Sequence, residues 1–311
     1  MNATPPMTNT TAASSPAPTA ISDTIGFIGL GVMGGAMCRN LMRRAPGARF
    51  LVHDPRSEAV TPFIELGAQD ATVTSIAEGC DIVLLSLPNG QVVEQVLAQM
   101  LPHLRAGTVI VDTSTSPVDK TRSFAEQVRQ NGARWVDAPI ARTREAAESG
   151  TLSIMVGGST DDLERVRPIL ECMGTDVSHC GDVGAGQVVK ILNNMVLFQT
   201  VNALAEALAI ARGAGVPGEV LFDVFSKGSA DSFALRNHGM KSLLKDNFPL
   251  RAFSTRYARK DNSYALDLAS GVGVVAEGAL HIERMFEQVE AAGLGDHYFP
   301  VLYKLLGPGT K

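Results

Sequence analysis

The sequence predicts an α/β protein, a doubly wound and mostly parallel sheet followed by an all-helical domain. Three observations carry that prediction. Short apolar runs alternate with amphipathic stretches from Thr24 to Cys180, the pattern of strands and covering helices in a parallel sheet. The first apolar run leads into a helical pattern through Gly29, Gly31 and Gly34, spaced G-x-G-x-x-G. From Gly186 onward the strand-like runs stop and long helical patterns take over.

Bulk properties narrow the function. The chain has 311 residues, of which 45% are hydrophobic and 19% charged, enough for two domains of ordinary size. A net charge of −5 argues against a polyanionic partner such as nucleic acid. Cys38, Cys80, Cys172 and Cys180 lack C-x-x-C spacing, so reduced structural thiols are expected and no metal. No uninterrupted apolar run approaches about 18 residues, so no membrane span is expected. Residues 1–22 are rich in Ala, Thr, Ser, Pro and Asn, without arginine or an apolar segment, unlike a targeting peptide. The expected organisation is a disordered extension over 1–23, a dinucleotide-binding domain over 24–185 and a helical domain over 186–311. A cytoplasmic location is expected by default.

Taken in order, Ile25–Leu30 reads as a buried strand, and apolar Met33, Met37 and Leu41 follow at helical spacing. One glycine permits the tight turn, one lets a pyrophosphate approach the backbone, and one lets helix and strand pack closely. Phosphates then meet unpaired N–H groups at the helix start. Gly29, Leu30, Gly31, Val32, Met33 and Gly34 are the expected cofactor contacts. Arg49–Asp54 reads as the second strand, and Asp54 lies about 25 residues past Gly29, where an acid accepts from a ribose diol. It repels a 2′-phosphate and favours NAD, while Arg56, two residues on, leaves NADP possible.

Asp81–Leu87, Thr108–Asp112, Trp135–Ile140, Leu152–Gly157 and a segment near Asp176–Cys180 read as further strands. Loops after such strands lie along the carboxyl edge of the sheet, where the ligand crevice forms. Leu87, Pro88, Asn89 and Thr115 are therefore expected at the cofactor, and Ser114 at the substrate. For Ser114 and Thr115, capping of the helix after Pro117 is an equally good reading.

From Gly186 to Ala211 the helical pattern is apolar on nearly all sides, so this helix is expected to be buried. At ~1.5 Å per residue it is nearly 40 Å long, the spine of the second domain. Gly218–Ser226, Ser232–Leu244, Ser254–Ser270 and Glu277–Ala291 also read as helices. Lys190 and Asn194 sit on the long one at i, i+4 and share a face. A lysine in so apolar a helix either snorkels to solvent or has a task, because buried unpaired charge is costly.

Four segments in order carry a family resemblance: GFIGLGVMGGAMCRNL, DAPIARTREAAESGTLSIMVGG, GAGQVVKILNN, and Lys260-Asp261 within YARKDNSYALDLA. From Thr24 to the C-terminus the chain resembles the β-hydroxyacid dehydrogenases, the group of 3-hydroxyisobutyrate dehydrogenase and tartronate semialdehyde reductase. The resemblance implies an N-terminal Rossmann domain, a 6-phosphogluconate dehydrogenase-like helical domain, and a homodimer or homotetramer. It implies Lys190 as the catalytic residue, Asn194 as substrate-binding, and Lys260 reaching towards the cofactor. It also implies a small anionic aldehyde or hydroxy-acid substrate.

The chemistry agrees with it. Reducing an aldehyde requires a proton at the carbonyl oxygen as hydride arrives at carbon, and a lysine ammonium supplies it. Oxidation requires the amine to be neutral, while a free lysine titrates near pKa ~10.4. A cationic nicotinamide about 5 Å away, at effective dielectric ~20, disfavours the ammonium by ~3 kcal/mol, roughly two pKa units.

One segment departs from the family pattern. After Asp-Ala-Pro the family commonly continues Val-Ser-Gly-Gly, which holds the substrate carboxylate; here stand Ile140, Ala141, Arg142 and Thr143. This variant looks like the sulfolactaldehyde reductase branch, with Arg142 and Thr143 expected to face an oxyanion beside Ala141. The rival readings are an imine reductase and a noncatalytic nucleotide-binding relative, both disfavoured by Lys190.

Overall fold

The computed structural model describes residues 21–250 and 252–306. The remainder of the expected extension, 1–20, lies outside the described residues. Its last part belongs to the fold: Ile21 is buried in the core and Asp23 pairs with Arg165. One apolar residue and one acid of that segment thus pack against the first domain.

The first domain is a nine-stranded sheet in the order β3-β2-β1-β4-β5-β6-β8-β7, with β9 on β8. Its strands are β1 (Thr24–Ile28), β2 (Arg49–His53), β3 (Gln69–Asp70), β4 (Ile82–Leu85), β5 (Val109–Asp112), β6 (Arg134–Asp137), β7 (Ile140–Ala141), β8 (Leu152–Gly157) and β9 (Gly174–Gly181). The first six pair in parallel; β8 runs antiparallel to β6 and β7. The expected strand Trp135–Ile140 is thus two strands, broken at Ala138-Pro139, since proline donates no ladder bond. Strand side chains alternate between faces: Ile82 and Leu84 enter one core, Val83 and Leu85 the other. Both faces are covered, as near-continuous apolar runs demand.

Seven helices serve this sheet: α1 (Val32–Arg44), α2 (Ser57–Glu65), α3 (Val73–Gly79), α4 (Gly90–Met100), α5 (Val118–Gln130), α6 (Arg144–Ser149) and α7 (Thr160–Leu170). The strand order reverses between β1 and β4, which places a crevice beyond their carboxyl ends.

The second domain is built on α8 (Ala185–Gly213), with α9 (Gly218–Phe225), a π-helical segment Leu235–Leu243, α10 (Thr255–Gly271) and α11 (Glu277–Ala291) around it. Phe198 of α8 stacks edge-on against Phe286 and Phe299 at the centre of its core. Ser232–Leu244, expected as an ordinary helix, is largely π-helical. By length and mean hydropathy alone α8 could cross a membrane, although Lys190, Asn193 and Asn194 interrupt its apolar run; in the structure it packs against β8, α10 and α11. Nor is it buried all round. Val189, Leu192, Val196 and Ile210 are exposed. A smaller cluster of Val118, Ile191 and Ala265 joins α5, α8 and α10 where the two domains meet.

Candidate active site

The glycine turn comes first. Gly29 has φ +97° and its N–H donates to the His53 carbonyl at 2.8 Å. A Cβ there would stand 2.3 Å from the Ser86 carbonyl oxygen, and one on Gly34 would stand 2.0 Å from that of Gly29. At Gly31 nothing lies within 4 Å. Gly31 precedes α1, whose first turn has no side-chain cap and no acid. A small residue facing open space beside free N–H groups is what a pyrophosphate needs. A cleft of about 480 Å³ runs from Leu30, Gly31 and Val32 to Arg39, Arg43 and Arg56. The residues present fit a dinucleotide. Met33 packs against the core beneath the turn.

Asp54 sits just past β2 and accepts from the Leu30 N–H at 2.8 Å. Its other oxygen takes the Arg56 N–H at 3.0 Å and guanidinium at 3.1 Å. Burial raises the carboxyl, but the Arg56 bonds and the Leu30 amide outweigh it and hold it below its ordinary value. Asp54 is thus tied to the glycine turn through Leu30 and already paired with a cation.

The loops after β4 and β5 are tied together. Ser114 Oγ accepts from the Leu87 N–H at 2.9 Å, and Asn89 caps α4 by accepting from Val92. The N-cap of α5 is Pro117 without a side-chain bond, so Ser114 and Thr115 do not cap that helix. Ser114 is buried and braces the cofactor loop.

The start of α8 is held from the sheet. Asp137, at the end of β6, accepts from the N–H groups of Gly184 at 2.7 Å and Gln187 at 2.9 Å, so it caps the helix from another domain. Gln187 Nε2 donates to the Ser114 carbonyl, and its Oε1 accepts from Ser116. Burial pushes the Asp137 carboxyl up to about 6. Sequence reasoning passed over Asp137 and Gln187; the available signal was a carboxylate closing an apolar strand.

One turn further along α8, Lys190 Nζ donates to Asn194 Oδ1 at 3.1 Å. Asn194 Nδ2 donates to Asp261 Oδ2 at 2.7 Å. Lys260 Nζ lies 3.0 Å from Asp261 Oδ1 and donates to the Pro88 carbonyl at 2.9 Å. Tyr257 donates to the same carbonyl at 2.5 Å. Lys190, Asn194, Lys260 and Pro88 therefore meet through Asp261. Burial lowers the Lys190 amine to about 8, against the charge of Asp261 and with help from Lys260. An amine there changes protonation state near neutral pH, as a proton carrier must. Before any cofactor charge acts, burial has supplied much of the shift expected from the nicotinamide.

The Ala141–Thr143 segment does otherwise. Arg142 has φ +87°. Its guanidinium pairs with Asp176 at 2.7 Å and donates to the Thr151 carbonyl at 2.6 Å and Thr175 Oγ1 at 3.1 Å. Thr143 caps α6 by accepting from Ala146, and Ala141 pairs with Ser153 across the sheet edge. Among the described contacts neither Arg142 nor Thr143 touches Lys190 or Asn194. Arg142 was expected to face an oxyanion; in the structure its guanidinium pairs with Asp176, on β9.

A mostly parallel sheet with a dinucleotide-shaped turn, and a lysine held between it and a helical domain, define a nicotinamide-dependent oxidoreductase. Comparison with known proteins narrows the class. Residues 24–181 match the NAD-binding domain of 6-phosphogluconate dehydrogenase, and 184–306 match the NAD-binding family of NADP-dependent 3-hydroxyisobutyrate dehydrogenase. The chain is 35% identical to 2-(hydroxymethyl)glutarate dehydrogenase of Eubacterium barkeri, covering 87% of this chain and 90% of that one. It is 36% identical to 3-hydroxyisobutyrate dehydrogenase of Pseudomonas aeruginosa, covering 80% and 86%. The structure of the Mycobacterium tuberculosis 3-hydroxyisobutyrate dehydrogenase with L-serine superposes with TM-score 0.83 at 30% identity, covering 92% and 99%. The chain belongs to the β-hydroxyacid dehydrogenase family and is an NAD(P)-dependent 3-hydroxyacid dehydrogenase.

Proposed function

We propose that the protein interconverts a small anionic 3-hydroxy acid and its semialdehyde, with Lys190 carrying the proton. The glycine turn would hold the dinucleotide, whose nicotinamide would supply or accept the hydride. In reduction the Lys190 ammonium gives its proton to the carbonyl oxygen as negative charge develops there. In oxidation the neutral amine takes the hydroxyl proton. Asn194 holds the amine in place and offers its amide to the substrate. The observation that carries this reading is the Lys190–Asn194–Asp261–Lys260 line ending on the Pro88 carbonyl, beside the cofactor loop.

Candidate substrates are 3-hydroxyisobutyrate, tartronate semialdehyde and 3-sulfolactaldehyde types. A sulfonate or carboxylate at Arg142 has to displace Asp176, so the anion anchor of the sulfolactaldehyde reading is not preset. The exposed α8 stripe of Val189, Leu192 and Val196 supports a homodimer or homotetramer, since monomers seldom expose such stripes.

The test is NADH oxidation with a panel of these semialdehydes and a cyclic imine, repeated with NADPH. Lys190→Ala should lose at least roughly 10³-fold in kcat while NADH still binds. Turnover of the imine alone would instead favour an imine reductase.

A further inference from the structure

Asp261 is 1% exposed and lies at the meeting point of two helices. Its Oδ2 accepts from Asn194 Nδ2 at 2.7 Å, and its Oδ1 faces Lys260 Nζ at 3.0 Å. A carboxylate has no proton to give. Asn194 must therefore turn its NH2 group towards Asp261. The amide oxygen then falls on the opposite side, where Lys190 Nζ donates to it at 3.1 Å and Asn193 Nδ2 at 3.2 Å. Turning the amide over would set oxygen against carboxylate and NH2 against the lysine's donors. That replaces three hydrogen bonds with repulsions around a side chain only 2% exposed, where no water can make good the loss.

We propose that Asp261 is a positioning residue, which fixes the Asn194 amide with its carbonyl turned to Lys190 and so aims the lysine's amine at the reacting oxygen. This rests on Lys190 carrying the proton. Asp261 also acts on Lys190 by its charge, and Lys260 acts in the opposite sense. Further charged and titratable groups pack around them. Tyr257 and Tyr264 of α10 flank Lys260. Asp137 of β6 caps the preceding turn of α8, and Arg122 of α5 packs against Gly184.

The test uses three variants of the full chain and the pH profile of hydroxy-acid oxidation, whose acid limb reports the lysine. Asp261→Asn removes the charge and frees the Asn194 amide to turn over. The limb should move down by about one pH unit and kcat fall roughly tenfold or more. Lys260→Met removes the opposing charge and should move the limb up. The exchange Asn194→Asp with Asp261→Asn sets the carboxylate against Lys190 and should also move it up. A purely electrostatic role would move the limb and leave the plateau kcat of Asp261→Asn unchanged, whereas loss of the amide's orientation lowers that plateau. The lysine signals of protein labelled at lysine Cε, with Lys190 assigned through Lys190→Arg, give the same titration without turnover. Any variant that fails to fold is thereby replaced by the other two. A plateau kcat in Asp261→Asn equal to that of the unsubstituted protein, or an unshifted Lys190 titration, would overturn the proposal. If Lys190→Ala keeps full turnover, the assignment of the proton carrier fails instead, and the labelled titration still tests Asp261.

Discussion

Two turns in the first domain share an unusual backbone and differ in everything else. Gly29, between β1 and α1, has φ +97°; Arg142, between β7 and α6, has φ +87°. At Gly29 the left-handed backbone costs little, and the missing side chain lets the Ser86 carbonyl approach. At Arg142 a long cationic side chain occupies a conformation that L residues avoid, at a cost of order 1 kcal/mol or more. Three bonds to Asp176, Thr151 and Thr175 hold it there. The first turn is shaped by what must come near it. The second is shaped by what it already holds.

The largest expected effect lies in the first turn. Gly34→Ala would place a Cβ 2.0 Å from the Gly29 carbonyl oxygen, so the turn must open. Calorimetric titration should show NADH affinity reduced by at least roughly 100-fold, with stability lower by about 1–3 kcal/mol. Gly31→Ala is the matched control. Its Cβ meets nothing within 4 Å, so the protein should melt as before while dinucleotide affinity falls. Equal melting losses in both would erase the distinction between packing and approach.

A second comparison sets Asp112 and Asp137 against the shielded Asp54. They are neighbours in register on β5 and β6, both buried. Burial pushes Asp112 from 3.8 up to about 7. A carboxyl raised in the folded state binds its proton more tightly there than in the unfolded chain. Its contribution to stability is therefore full below about pH 4 and is lost as pH rises through about 7. Asp112→Asn should flatten the fall in urea stability between about pH 4 and 7, by up to a few kcal/mol. An unchanged slope would remove Asp112 from that account.

The smallest effect is expected at Arg142. Arg142→Gly relieves the backbone and loses an exposed ion pair, two terms of opposite sign near 1 kcal/mol each. The melting temperature should hardly move. Because the guanidinium is bound to Asp176, KM for an anionic semialdehyde should rise by less than roughly fivefold. A much larger rise, absent for a neutral aldehyde, would mean that Arg142 leaves Asp176 for the substrate.

These turns also mark how far the sequence could be read. The glycine spacing, the apolar strands and the Lys190–Asn194 pair are local signals, and the sheet and α8 follow from them. Asp261, adjacent to Lys260 in a quoted motif, gains its role only when α10 crosses α8 and brings it to Asn194, 67 residues away. Asp137 likewise needs α8 to return to the sheet before it can cap Gly184, 47 residues on. The partner of Arg142 was hidden for the same reason: Asp176 lies in β9, and no spacing rule joins them. Apolar composition hid the exposed edge of α8, because Val196 or Ile210 reads alike whether covered or bare.

The Pro88 carbonyl receives two donors from α10, Tyr257 and Lys260, residues 169 and 172 positions downstream. One peptide oxygen on the rim of the dinucleotide crevice is thus gripped by the far half of the polypeptide. Severing the chain before α8 would strip that rim of its clamp, even with every sheet residue retained.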